Sequence, residues 1–174
     1  MMRSIAVLAG LLVCGLCAMP ASAQVLGFNG KWVLNHAKSQ GKNSAVEYIT
    51  YKITDQVQDY VVDETGADGH RFNAVYQAKF DGKDYPKKDL VTGKVTYTRV
   101  EKVFERVELV TNSVKEKGAD GKEVMKVTGW YIRELAPDGM SITSTLFSAD
   151  GKVTAIRVFD RLSYSADQDN GKGS

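Results

Sequence analysis

Two tyrosine–arginine pairs carry the most pointed chemistry in this 174-residue chain. Tyr97-x-Arg99 and Tyr131-x-Arg133 each set a phenol and a guanidinium two residues apart, a spacing that puts both on one face of an extended strand. If those faces point inward, two cations meet two phenols and could anchor a carboxylate or phenolate. The competing arrangement has both arginines reaching out to solvent at a rim. Further rings stand nearby. Phe72, Ala74, Tyr76, Ala78 and Phe80 alternate with Arg71, Asn73, Val75, Gln77 and Lys79, and the small neighbours leave room beside the Tyr76 ring. With Tyr48, these residues make the expected ligand-binding set: Tyr48, Phe72, Tyr76, Tyr97, Arg99, Tyr131 and Arg133. The plainer alternative is core packing, with each hydroxyl satisfied at the edge of the core.

Other chemistries find no footing. His36 and His70 are the only histidines, too few for a multi-histidine metal site, and each reads as a solvated loop residue. Asp160 beside Arg161 could serve as a base, or simply satisfy polar groups at the end of a strand. The chain has no Ser-His-Asp order, glycine-rich phosphate loop or paired glycosidase carboxylates. No catalytic residue, metal or cofactor is therefore expected. Asp84-Tyr85-Pro86 follows a turn, and proline holds Tyr85 extended, so this loop could act as a lid.

The first residues decide the compartment and the redox chemistry. Arg3 gives a positive start, Ile5 to Leu16 is apolar and too short to span a bilayer, and Ala21-Ser22-Ala23 offers a small-x-small cleavage site. Residues 1–23 read as a cleaved signal peptide, predicting a periplasmic or secreted protein that starts at about Gln24. Cys14 and Cys17 leave with it, so disulfides and thiolate chemistry are excluded from the mature chain. Lys and Arg number 23 against 21 Asp and Glu, and the two signs alternate along the sequence. That is unlike the basic stripe that nucleic acid requires, and it gives no support to an anionic membrane surface.

The elements that must position these residues are strands. Ala67-Asp68-Gly69, Asp81-Gly82, Ala119-Asp120-Gly121, Pro137-Asp138-Gly139 and Ala149-Asp150-Gly151 punctuate segments rich in Val, Ile, Tyr, Phe and Thr, a hairpin signature. Strands are expected at 31–34, 47–54, 57–64, 70–80, 94–100, 103–112, 123–135, 140–147 and 152–162, with at most a turn of helix in 35–44. Such hairpin connectivity predicts one all-β domain over 24–162, an antiparallel up-and-down barrel of about eight to ten strands, or else a meander sandwich. Lys, Glu and Arg on the non-core faces argue against a transmembrane barrel. Residues 163–174 are polar and expected to be disordered.

Gly30-Lys31-Trp32 and the longer Gly-x-Trp-x-Leu-Asn-x-x-Lys-Ser string over 30–39 resemble the opening of exported bacterial lipocalin-like (calycin-type) proteins. Phe80-Asp81-Gly82-Lys83-Asp84-Tyr85-Pro86 is similar to that group's mid-chain loop, and Val158-Phe159-Asp160-Arg161 to its closing strand. The resemblance implies a lipocalin-like barrel whose closed end is plugged by Trp32, with Arg161, rather than Arg157, packed over the indole. It implies binding of a small hydrophobic or aromatic molecule in the barrel. A small β-barrel enzyme of isomerase or lyase type, using Tyr, Arg and His70 for acid–base work, stays open as the alternative.

Overall fold

The computed structural model describes residues 27–41 and 44–163. The expected leader and residues 164–174 of the expected tail lie outside the described residues.

The repeated Asp-Gly turns set the topology. Gly69 and Gly121 have φ of +80° and +77°, a region that costs glycine little and other residues much. The preceding Asp68 and Asp120 each accept a hydrogen bond from the backbone N–H two residues on, at 3.1 Å. Each turn is thus closed by its own sequence, and the chain reverses at once.

Eleven strands result among the described residues: β1 (Gly30–Leu34), β2 (Gln40–Gly41), β3 (Val46–Thr54), β4 (Val57–Thr65), β5 (Arg71–Lys79), β6 (Tyr85–Asp89), β7 (Val95–Phe104), β8 (Val107–Lys117), β9 (Glu123–Leu135), β10 (Ser141–Ser148) and β11 (Val153–Ser163). From β3 to β11 each strand pairs antiparallel with the next. β1 pairs with both β3 and β11 and closes the barrel. β2 pairs with Ala155 and Ile156 farther along the edge of β11 that β1 occupies, so β1 and β2 behave as one interrupted strand. The protein is a closed, ten-stranded, antiparallel up-and-down barrel with one short extra strand and no helix among the described residues.

Alternation assigns the two faces. Ile49 and Tyr51, Tyr60 and Val62, Ala74, Tyr76 and Ala78, Val100, Val110, Leu135, Ile142 and Phe159 are buried and form the interior. Burial of such side chains contributes roughly 1.5–3 kcal/mol for each large one. Tyr51, Tyr60 and Tyr76 are direct cross-strand partners on β3, β4 and β5. Their rings form a ladder with centroids 5.0 and 4.8 Å apart.

One end is sealed around Trp32, which is fully buried. Its Nε1 donates to the carbonyl of Phe28 at 2.9 Å, tying the segment before β1 across the barrel floor. The Arg161 guanidinium lies 4.0 Å from the indole centroid. It donates to the carbonyls of Gly27, Asn29 and Gly139 at 2.6–2.7 Å. Stacking and three charge-assisted hydrogen bonds come from one side chain.

The strands depart from expectation in four places, the first being β2 at Gln40–Gly41, in a link expected to hold at most a turn of helix. Residues 85–89 are a strand and not a lid loop: Tyr85 and Pro86 pair with Thr98 and Tyr97, and the Tyr85 hydroxyl donates to Asp81 at 2.9 Å. Proline is accepted because β6 meets β5 only through Lys88 and Asp89, so its missing N–H costs no ladder bond. β7 continues through Phe104, the turn being Glu105–Arg106. β8 runs to Lys117 and pairs with β9 out to Glu123.

Arg161→Ala removes the stacked cation and three capping donors together. A loss of about 2–4 kcal/mol is expected, read as a lower urea midpoint. Asp160→Ala should move the midpoint far less, because Asp160 pairs at the surface with Asn35 and Lys38.

Candidate functional site

The interior is not filled. A cavity of about 160 Å³ lies toward the end opposite Trp32, with walls from β3, β4, β5, β6 and β8–β11. It reaches solvent past the half-buried Glu64, Phe72, Lys87 and Leu146.

Its centre is Arg133. This side chain is 1% exposed and extends from β9 across the lumen to the tyrosine ladder. Its Cζ lies 4.6 Å from the Tyr51 centroid, 5.2 Å from Tyr60 and 5.1 Å from Tyr131. Nη1 donates to Glu108 at 2.8 Å and Nη2 to the Tyr131 hydroxyl at 3.0 Å. Glu108 is the cross-strand partner of Arg133, and Tyr131 lies two residues before it on the same face. Burial works against the charge on Arg133, but Tyr51, Tyr131, Tyr76 and Glu108 outweigh it and hold its pKa well above the ordinary value. Burial raises the Glu108 carboxyl above its usual range against the pull of Arg133. Desolvation likewise pushes the phenols of Tyr51, Tyr60 and Tyr76 well up.

A second charged group stands nearer the mouth. Arg157 Nη1 bonds Glu47 at 2.7 Å and approaches Glu64 at 3.9 Å. The Ser44 hydroxyl bonds Glu64 and lies 3.4 Å from Glu47. This pair spans the stretch between β3 and β11 that β1 leaves open where it ends at Leu34. Burial raises Glu47 to about 7, with Arg157 pulling it down and Glu64 pushing it up. Across β10, Ser144 is the register partner of both Arg133 and Arg157. The two guanidinium groups therefore belong to one interior row with a small residue between them. Lys87 completes the wall; its ammonium lies 5.7 Å from the Phe72 centroid. Burial first, and then the charge of Arg133, lower its pKa, against the pull of Glu64 and Glu47.

The seven residues expected to surround a ligand divide. Phe72, Tyr131 and Arg133 line the cavity. Tyr76 is buried beneath it, stacked on Tyr60. Tyr48, Tyr97 and Arg99 lie on the outer face, in correction of their expected inward placement. Tyr48 is out of phase with the buried Glu47, Ile49 and Tyr51. In β7, Thr98 and Val100 take the interior positions, opposite Asn112 and Val110. Tyr97 instead packs under Lys115, and Arg99 approaches Glu101. The Tyr131–Arg133 pair thus faces inward while the Tyr97–Arg99 pair does not.

His70 is exposed beside Asp68 on the β4–β5 turn, and His36 contacts the Ala45 carbonyl. Neither lines the cavity. Sequence reasoning missed Glu47, Glu64, Lys87, Glu108 and Arg157. The signal for three of them was phase: Glu47 shares parity with Ile49 and Tyr51, Glu64 with Tyr60 and Val62, and Arg157 with Ala155 and Phe159.

Two measurements probe this arrangement. Arg133→Met alone leaves Glu108 buried without its partner and should cost roughly 3–5 kcal/mol; adding Glu108→Leu should recover most of it. Glu47 holds its proton more tightly when folded, so its contribution to stability is full below about pH 4.5 and is lost as pH rises through about 7. A fall on the order of 3 kcal/mol between pH 5 and pH 8 is expected in the urea unfolding free energy. Glu47→Gln should flatten most of that slope.

No protein-family model matches this chain, and no curated protein matches it.

Proposed function

We propose that this protein is an exported, lipocalin-like binding module that holds a small aromatic or apolar molecule inside its barrel. The observation that supports this reading is the cavity of about 160 Å³ walled by Phe72, Tyr60, Tyr131 and Leu146. A purely structural barrel has no use for such a void, since unfilled interior volume forfeits dispersion contacts. The size also bounds the ligand. A cavity of about 150 Å³ accepts one benzene-sized ring, so a single ring with a short substituent fits and a long acyl chain does not. The leader and the resemblance of residues 30–39, 80–86 and 158–161 supply the exported, lipocalin-like part of the reading.

A second reading, an isomerase or lyase on the same scaffold, draws on Glu47. A buried carboxyl raised to about 7 beside Arg157 is poised to exchange a proton near neutral pH. Under that reading the acid–base group is Glu47 and not His70.

Native mass spectrometry of the protein from its own host, followed by thermal-shift screening of single-ring aromatics and long-chain fatty acids, tests the binding reading. One small aromatic per chain and a higher melting temperature with single-ring compounds are expected. Stabilisation by the fatty acids alone, or by nothing, would overturn it. NMR showing that a bound compound is converted, and that Glu47→Gln stops the conversion, would shift the assignment to the enzyme.

A further inference from the structure

The polar atoms of the cavity specify the charge of its occupant. Arg133 Nε, Arg157 Nε and the Tyr51 hydroxyl have no hydrogen-bond partner among the described residues, but each is closed off even from a water-sized contact, so these atoms give the cavity its buried polar wall and offer no donor to an occupant. All three side chains line the cavity. Lys87 lines it too, with no carboxylate within 4 Å among the described residues. The Asn112 amide oxygen is also buried and unpartnered, but the amide can turn to present its nitrogen. The donor the wall offers an occupant is therefore the half-buried Lys87 ammonium, and what satisfies a donor is an acceptor.

The opposite charge is shut out by the same residues. An organic cation would seek the faces of Tyr51, Tyr60 and Tyr131, but the Arg133 guanidinium already occupies them. The carboxylates that could attract a cation are engaged, Glu108 by Arg133, and Glu47 and Glu64 by Arg157 and Ser44. A neutral ring would fill the volume and leave the Lys87 ammonium to water alone.

We propose that the occupant is a small aromatic anion, an arene carboxylate or a phenolate. Its ring lies among Phe72, Tyr60 and Leu146, and its acid group rests on the Lys87 ammonium, with the Arg157 and Arg133 charges behind it. The proposal builds on the binding reading and gives it a chemical class. Lys87 is the recognition residue: the two arginines have carboxylate partners in direct contact, whereas Lys87 feels Glu64 and Glu47 only from beyond 4 Å.

Isothermal titration calorimetry with benzoate, benzyl alcohol and benzylammonium tests it, using wild type, Lys87→Met and Lys87→Arg. Benzoate should bind at least about tenfold more tightly than benzyl alcohol, the ratio expected for one charge-assisted hydrogen bond, and benzylammonium should bind weakest. Lys87→Met should weaken benzoate about tenfold while leaving benzyl alcohol unchanged, and Lys87→Arg should restore most of the loss. Because Lys87 makes no ion pair, Lys87→Met should unfold at or above the wild-type temperature, which separates lost recognition from lost folding. Equal affinity for benzoate and benzyl alcohol, preference for benzylammonium, or a uniform loss across all three probes in Lys87→Met would overturn the anion proposal and leave the binding module standing. No binding of any probe would overturn both.

Discussion

A permanently charged guanidinium buried inside a closed barrel is the constraint around which the interior is arranged. Arg133 cannot shed its proton, and an isolated charge in that setting is prohibitively costly. Its surroundings read as the answer: Glu108 directly opposite on β8, Tyr131 on the same face of β9, and the Tyr51–Tyr60 faces across the lumen. An apolar side chain of similar volume would need none of these. By reaching across the barrel, Arg133 also ties β9 to the β3–β4 wall, a contact that strand pairing alone does not provide.

The two ends of the barrel use arginine in opposite ways. Arg161 is consumed by structure, with three backbone carbonyls and an indole taking up its capacity. Arg157, four residues earlier on the same face of β11, bonds carboxylates and keeps Nε free of a partner at the cavity wall. The difference follows from what each end must do. Around Trp32 the segment before β1 supplies carbonyls that need donors, whereas at the other end β1 stops at Leu34 and side chains span the opening between β3 and β11.

The architecture was legible because its signals are local. Asp-Gly turns and period-two strands specify hairpins one at a time, and a run of hairpins closes. Trp32 and Arg161 were legible through the motifs around them. The interior charges were not. A glutamate or lysine in a strand ordinarily points to water, so Glu47, Glu64, Lys87 and Glu108 read as solvent-facing until pairing shows which parity is inside. Tyr97 and Arg99 misled for the converse reason. Their spacing is that of Tyr131 and Arg133, but the neighbouring Thr96 and Thr98 look like surface residues, and here threonine takes the inside. Strand β6 was hidden by Pro86, which is tolerated only because β5 does not pair with it there.

That last feature has a kinetic meaning. The pairs β3–β4, β4–β5, β7–β8, β8–β9, β9–β10 and β10–β11 are stitched along most of their length, but β5 and the short β6 share only two register pairs, Ala74 with Asp89 and Val75 with Lys88. Local opening follows the fewest hydrogen bonds, so this seam is expected to open before those, with amide exchange in β6 faster than in the tyrosine ladder behind it. Lys87 projects from that same short strand. The least-stitched wall is thus the one carrying Lys87, at the rim where the cavity already reaches solvent, so the mouth borders the part of the barrel with the fewest bonds to hold its shape.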